Sequence, residues 1–274
     1  MRIVSIDSSL GSRLLVVDAD PGDRGAALKV LSSAEQADSR RHAESLGVML
    51  ARALGDPRVA DRRLDAVVAA TGPAPFTGLR AGLVTARALG RARGIPVHGV
   101  PSLDAVARAA LDQLADEGST VLVVTDARRR EVYAARYRAR GADDVESLDE
   151  PAVLAPDAAA DLDGVDAVAG SGAALYPQIA AGRPAVAPVS GDARAQCRIA
   201  LARLDQAEAA AAKAGSVLWP QSELNAEAAR SWTRADDRSA TARQYGLGLA
   251  ASYELDLWGR VSALRQAGTL AFEA

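Results

Sequence analysis

The sequence contains little of what several functional classes require. Its 274 residues include one cysteine, Cys197, which excludes an intramolecular disulfide and a zinc site made of several cysteines. Basic side chains number 32 and acidic ones 35, so the chain lacks the positive surplus that nucleic-acid-binding surfaces carry. We therefore expect any nucleic acid to be reached through a partner that supplies the positive surface.

Long apolar runs are also missing. No segment approaches the ~20 consecutive apolar residues of a membrane-spanning helix, and Asp7 interrupts the first apolar run too early for a secretory leader. Hydrophobic residues still make up 49% of the chain, which is enough for a globular core. These features predict a soluble, cytoplasmic protein of one large domain or two small ones.

The residue pattern up to about position 189 predicts an α/β fold. Three short apolar runs joined by turn residues predict a β-meander, and a helix over 39–54 follows. Thr77 and Ser102 are predicted N-caps of two later helices, and the acidic segment from Asp143 is predicted to be a loose connection. Beyond the meander, strands and helices alternate: strands over 65–70, 95–97, 120–125, 131–138 and 165–169, and helices over 79–93, 102–117 and 173–180.

Three passages resemble the TsaB family, also called YeaZ. They are Asp7-Ser8-Ser9 after the first strand, the loop over 72–82 (GPAPFTGLRAG), and the passage over 126–133 (DARRREVY). The resemblance implies an actin- and sugar-kinase-like (ASKHA) fold with two lobes about a cleft. The N-terminal lobe would occupy residues 1–100, and a second, truncated lobe would occupy residues 101–189.

The same resemblance implies a role. Such proteins support a TsaD-type transferase which, with a TsaE-type ATPase, forms threonylcarbamoyl-adenosine in tRNA. The chain would be a non-catalytic scaffold that requires no cofactor, reaches tRNA only indirectly, and pairs with itself when the transferase is absent. ATP binding stays open, and a stand-alone nucleotide-dependent enzyme of the same fold is the alternative.

Acidic and small residues after the first strand are candidates for a nucleotide site. In the actin-like fold this position lines the nucleotide phosphates, where hydroxyl and backbone N–H groups bond anionic oxygens. The candidates are Asp7, Ser8, Ser9 and Gly11. The alternative, which we favour, is a tight hairpin that keeps the ancestral shape without a ligand.

The loop over 72–78 has the same two interpretations. Its glycines let backbone approach a phosphate closely, but Pro73 and Pro75 lack N–H donors. We therefore interpret the loop as a stiff connection that sets the angle of the next helix. Ala74 stands where the TsaB family has glycine, and it would be strained if this position needs a positive φ.

A metal site is not expected. Catalytic TsaD-like relatives carry a His-x-x-x-His pair on the first helix, and here Leu46 stands where the second histidine would be. His42 and Glu44 are two residues apart, so their side chains diverge on a helix and make a poor site. The difference argues for a scaffold, and against both the transferase itself and a zinc peptidase.

The TsaB resemblance also implies a partner surface, in which two helices form a four-helix interface with the partner. The residues it implies are His42, Leu46, Met49, Leu50, Gly82, Leu83 and Ala86. The alternative is that they pack on the protein's own sheet, because packing needs one apolar stripe and a partner needs a second. The three arginines at 128–130 also have two interpretations, a phosphate contact or a solvated turn, and the turn is the commoner.

The chain changes character near residue 190. The alanine-rich, charged segment over 192–218 predicts a helix. Strict period-two alternation over 224–232 and 245–257 predicts two strands joined by a polar loop over 234–243. A short helix over 261–272 is predicted to follow.

This third part, residues 190–274, resembles a fragment of an outer-membrane efflux factor of the TolC and OprM type. Leu218-Trp219-Pro220-Gln221 and the passage over 253–260 (YELDLWGR) carry the resemblance. It implies an efflux-channel component, which the expected absence of an export leader speaks against. We interpret the tail as a fusion, with a hairpin that packs on the first part as the alternative.

Overall fold

The computed structural model describes residues 1–19, 28–37, 42–216, 221–235 and 238–252. The chain forms two compact units, Met1–Asp205 and Gln206–Ala274. The strands of the first unit are β1 Arg2–Asp7, β2 Ser12–Asp18, β3 Lys29–Gln36, β4 Ala66–Ala70, β5 Val97–Val100, β6 Thr120–Arg128, β7 Glu131–Arg140, β8 Asp144–Ser147, β9 Ala152–Leu154, β10 Ala167–Ala169 and β11 Ala185–Val186. The helices are α1 His42–Gly55, α2 Pro57–Ala60, α3 Phe76–Arg93, α4 Ser102–Leu111, α5 Pro156–Ala160, α6 Ser171–Leu175 and α7 Ala193–Ser216, with a 3-10 turn at Pro177–Ala180.

Two sheets of the first unit repeat one topology. The first sheet has the order β3-β2-β1-β4-β5, in which β1, β2 and β3 pair antiparallel and β4 and β5 join β1 in parallel. The second has the order β8-β7-β6-β10-β11 with the same directions, and β9 adds to β7. The sequence carries no visible internal repeat, yet the backbone repeats its strand order.

Three apolar clusters arrange these elements in layers. One cluster packs α1 and α3 on the first sheet, and another packs α5 and the 3-10 turn on the second. The largest lies between the sheets and contains residues of α4 and α7, including Leu103, Val106 and Ile199. Both faces of β1 are therefore covered, and all six of its residues are buried. A strand buried on both faces is usually rich in apolar residues, and in β1 these are Ile3, Val4 and Ile6.

The first part of α7 belongs to the first unit. Cys197, Ile199 and Ala200 are buried in the cluster between the sheets. Asp192 caps the start of this helix, because its Oδ1 accepts the N–H groups of Arg194 and Ala195 at 2.8 Å each. The compact unit therefore extends to Asp205, while the domain limits at 100 and 189 stay predictions.

The second unit contains a β-hairpin. Strands β12 Gln221–Ala235 and β13 Arg238–Ser252 pair antiparallel along their whole length, with Leu224 opposite Leu249 and Ala235 opposite Arg238. The paired strands are confirmed, but the predicted loop over 234–243 is wrong, since pairing continues through its polar residues. The predicted strand end at 253–257 and the helix over 261–272 lie outside the described residues.

Several local predictions for the first unit were also wrong. Helix α3 begins at Phe76, so Thr77 is not its N-cap, and α4 begins at Ser102 and ends at Leu111 rather than near 117. The acidic segment from Asp143 contains two strands, β8 and β9, because both pair with β7. Among the helices in the described part of the chain, none is long and apolar enough to cross a bilayer.

Candidate functional site

A cleft lies between the two lobes of the first unit. Its lining comes from both sheets and from α4: Ser9, Leu10, Pro73, Ala74, Pro75, Ser102, Val106, Thr125, Asp126, Ser171, Ser190 and Gly191. The volume is about 20 Å³. A cavity of that size holds about one water molecule, whereas small-molecule sites span roughly 300–1,000 Å³. In this conformation the cleft is closed.

Asp7 lies at the end of β1, beneath the cleft. The side chain is 2% exposed, and its Oδ1 accepts the N–H of Ser9 at 2.8 Å. Its Oδ2 is buried and has no hydrogen-bond partner among the described residues. A Cβ built on Gly191 would overlap this carboxyl group, so the Gly191 backbone covers it directly. Burial raises the pKa of Asp7, and the hydrogen bonds from Ser9 and the charge of Arg13 only partly oppose that shift.

The other nucleotide candidates have structural partners. The Ser8 hydroxyl donates to the carbonyl oxygen of Gly78 at 2.7 Å and accepts the N–H of Gly82 at 3.1 Å, which ties β1 to α3. Gly11 has φ +72° in the turn between β1 and β2, where a Cβ would lie 2.7 Å from a backbone oxygen of Gln36. Ser9 alone of the four lines the cleft. Nucleotide binding by this group stays a prediction.

The loop before α3 is fastened to the start of α4. The Gly72 N–H donates to Ser102 Oγ at 3.1 Å, and the Gly72 carbonyl accepts the Ser102 N–H at 2.7 Å. Position 72 has φ +100°, a backbone conformation that favours glycine. Ala74 is not among the residues with positive φ, so the glycine-to-alanine difference causes no strain there.

The described lining of the cleft carries little charge. Its lining has one carboxyl group, that of Asp126, and this group pairs with the Arg128 guanidinium at 3.1 Å. No cluster of three or more histidine, cysteine, aspartate or glutamate side chains able to hold a metal occurs in the parts of the chain that the structure describes. His98 lies on β5, away from the cleft lining, and burial lowers its pKa.

The predicted partner residues divide between core and surface. Leu46, Met49 and Ala86 are buried in the cluster beneath α1 and α3, and Gly82 packs against Ser8. Leu50 and Leu83 are half-buried at its edge. His42 is the first residue of α1, and its side chain lies outside the described part. Their part in an interface stays a prediction.

Five residues of α1 and α3 face solvent instead of packing on the sheet. We call this set the outer face and define it by Gly47, Val48, Phe76, Arg80 and Val84. Phe76 is 69% exposed, Val84 66% and Val48 51%. The Arg80 guanidinium lies 4.4 Å from the centre of the Phe76 ring. These residues could not be predicted from the sequence. The spacing of apolar residues shows which positions of a helix are apolar, but it does not show which of them the sheet covers.

The repeated sheets and the cleft between them define an actin- and sugar-kinase-like (ASKHA) protein. The structure of YeaZ from Pseudomonas aeruginosa has this fold, with a TM-score of 0.60, 24% identity, and coverage of 76% of this chain and 95% of that one. Residues 30–224 match the family model described as TsaD, tRNA N6-adenosine threonylcarbamoyltransferase. The chain therefore belongs to this family, and the predicted resemblance to TsaB, or YeaZ, is confirmed.

Two relatives of known sequence are also similar to parts of this chain. An uncharacterized protein of Mycobacterium tuberculosis is 49% identical over 146 residues, which is 53% of this chain and 62% of that protein. The match thus spans about three fifths of the relative's length. A tRNA N6-adenosine threonylcarbamoyltransferase of Rhizobium meliloti is 35% identical over 117 residues, covering 38% of this chain and 32% of that enzyme.

The tail matches a different family. Residues 193–274 match the family model described as outer membrane efflux protein. The two matches overlap over 193–224, a range that contains the whole of α7. The predicted resemblance of the tail to an efflux factor is thereby confirmed as well.

Proposed function

We propose that the chain is a non-catalytic scaffold that supports a TsaD-type transferase in forming threonylcarbamoyl-adenosine in tRNA. The family match relates it to this modification of tRNA. The outer face carries the scaffold part of the proposal. Val48, Phe76 and Val84 are exposed although their helices already bury a full apolar stripe on the sheet. A second apolar stripe of this kind is typical of a helix that also packs against a partner.

The make-up of the outer face suits a helical partner. Gly47 is exposed, and a Cβ there would meet nothing within 4 Å, so another helix can approach α1 closely. Phe76 and Arg80 offer the aromatic and guanidinium groups that concentrate binding energy at interfaces. The partner is the transferase, or a second copy of this chain when the transferase is absent.

The closed cleft supports the non-catalytic part of the proposal. Asp7 is covered by Gly191 and Ser8 is engaged with α3, so neither reaches a phosphate in this conformation. The scaffold then requires no cofactor, and nucleotide turnover falls to a TsaE-type ATPase. The complex works in the cytoplasm, where its tRNA substrate is.

Reconstitution of the reaction tests this proposal. Purified transferase, ATPase and tRNA are supplied with threonylcarbamoyl-adenylate, and modified adenosine is measured with and without the full chain. We expect the chain to raise the yield and to show no transfer alone. Equal yields with and without it would refute the scaffold role, and transfer by the chain alone would establish the enzyme instead.

The efflux match favours a second candidate, an outer-membrane efflux component acting through residues 193–274. Under this alternative the full chain, expressed in a Gram-negative host, is recovered from the outer-membrane fraction only with detergent. A chain that ends at Asp205 and fractionates in the same way would exclude the tail as the cause.

A further inference from the structure

The turn between β6 and β7 has an unusual backbone. Strand β6 ends at Arg128 and β7 begins at Glu131, so Arg129 and Arg130 form a two-residue hairpin loop. Their φ angles are 53° and 62°, and Arg128 has φ 69° beside a register shift in the ladder. Two central residues with positive φ make a type I′ turn, the tight turn that matches the twist of the strands.

The sequence is poorly matched to that backbone. Type I′ turns favour Asn-Gly, Asp-Gly or Gly-Gly, because a Cβ in the left-handed region is crowded by the following carbonyl. Here three successive arginines occupy that region. Strained backbone of this kind concentrates at functional sites, where the side chains are needed for something other than stability.

Only one of the three arginine side chains in the turn has an ion-pair partner among the described residues. Asp126 stabilises the start of the turn. Its Oδ1 accepts the N–H of Arg128 at 2.8 Å, and the same carboxyl group pairs with the Arg128 guanidinium. Arg129 and Arg130 are exposed, and neither has a hydrogen bond or an ion pair among the described residues. Two guanidinium groups therefore project free at the tip of a fixed hairpin.

The turn also lies at the rim of the cleft. Thr125 and Asp126, which lead into it, line the cleft, and the Asp126 N–H donates to Ser171 Oγ at 3.0 Å. The hairpin is thus held by both its ladder and α6. Each arginine at the tip is suited to bidentate bonds with phosphate oxygens, because the N–H donors of a guanidinium group form a planar fork.

We propose that the turn at 129–130 is a phosphate-binding element that contacts the tRNA backbone. This rests on the proposed function, since the tRNA modification supplies the phosphate-bearing partner. The chain has a net charge of -3, so the contact is local and not a broad basic surface. It makes the scaffold a direct, minor participant in tRNA binding, in contrast to the purely indirect role that the family resemblance implies.

Fluorescence anisotropy with an unmodified tRNA transcript tests the proposal. Arg129→Gln/Arg130→Gln should weaken binding about tenfold or more, since each lost charged hydrogen bond costs a substantial part of that factor. The slope of log affinity against log salt should fall by roughly 1.4–1.8, the value for two phosphate contacts. Arg129→Asn/Arg130→Gly should lose the same affinity while Tm rises by roughly 2–4 °C, because its residues suit the turn.

The matched control is Arg91→Gln/Arg93→Gln, which removes two exposed arginines from the end of α3. Its affinity should equal that of the wild type. ATP is then added as a competitor of tRNA at equal phosphate concentration. Displacement of the tRNA would show that the turn binds a nucleotide and would overturn the proposal, whereas no displacement would support binding of RNA. Unchanged binding by the glutamine variant, equal loss by the control, or no binding by the wild type at about 50 mM salt overturns the proposal.

Failure of this proposal is distinguishable from failure of the scaffold role. Co-elution with the transferase is measured for the same variants and depends on the outer face instead. Retained co-elution with unchanged tRNA affinity would overturn the phosphate element alone. Lost co-elution of the wild type would remove the scaffold role on which the element rests.

Discussion

Ser8 and Gly82 fasten the first strand to α3. The Ser8 hydroxyl accepts the Gly82 N–H at 3.1 Å, and a Cβ on Gly82 would overlap that hydroxyl. The close approach sets the position of the helix that carries Phe76 and Val84. A residue that resembles a phosphate ligand in the sequence thus has a second use, in holding the outer face in place.

Gly82→Ala should destabilise the first unit. The added methyl group overpacks the contact with Ser8, so we expect the free energy of unfolding to fall by about 1–3 kcal/mol. Gly47→Ala is the matched control, because Gly47 lies in α1 with nothing within 4 Å of its Cβ position. That change should stabilise by about 0.5–1 kcal/mol. Urea unfolding measures both, and equal effects would contradict the packing argument.

Asp7 should make stability depend on pH. Burial raises the pKa of its carboxyl group above 3.8, so the folded state holds the proton more tightly than the unfolded state does. The stabilisation that protonated Asp7 contributes is therefore fully present when the pH is below the pKa of Asp7 in the unfolded state. It is lost as the pH rises through the pKa of Asp7 in the folded state. The stability of the wild type relative to Asp7→Asn should fall from about pH 4 upward. Urea unfolding at several pH values measures it, and a constant or rising difference would contradict the assignment.

Arg203 should contribute more than a surface arginine. It pairs with Asp104 and Asp144 at 2.8 Å each, and Asp144 is buried. Arg203→Ala leaves two carboxyl groups without their cation, at a cost of roughly 2–3 kcal/mol, because Arg203 itself is 36% exposed and the pair is partly screened.

The control for that change is Arg138→Ala. Arg138 pairs with Glu146 at 2.8 Å, and both side chains are about half exposed. The free energy of unfolding should change by less than about 1 kcal/mol. Similar losses in the two variants would show that the Arg203 pairs act as ordinary surface pairs.

The first part of α7 should be required for folding. A chain ending at Asp205 keeps Cys197, Ile199 and the Arg203 ion pairs, whereas a chain ending at Val189 loses them and opens the cluster between the sheets. We expect cooperative thermal unfolding for the former only. In the folded chain Cys197 should resist a thiol reagent, since burial raises its pKa to about 12. Cooperative unfolding of the shorter chain would contradict this role of α7.

The sequence predicted the core strands well because central strands read as apolar runs. Val4, Val67 and Val123 are all in such runs, and all are buried. It failed for β8 and β9, which are short strands of four and three residues that pair with β7 and each bring only one apolar side chain, Val145 and Leu154, to the core clusters. The prediction of a loop over 234–243 was wrong because backbone pairing between strands does not require apolar residues.

The candidate site was harder to predict than the fold. Ser102 has the chemistry of an N-cap, but its hydroxyl bonds to Gly72 in a distant loop, a contact that no local pattern contains. Likewise, apolar spacing on α1 pointed to Leu46 and Met49, which the sheet covers, and not to the exposed Val48. Which stripe of a helix remains free depends on tertiary packing.

The most direct test of the scaffold account is a binding measurement at the outer face. Wild type, Val48→Asp, Val84→Asp and the control Val153→Asp are each run with a TsaD-type transferase by size-exclusion chromatography. Val153 is 51% exposed, as is Val48, but it lies on β9 in the second lobe. We predict that the wild type and Val153→Asp co-elute with the transferase and that the two outer-face variants do not. Co-elution of all four, or of none, would contradict the account.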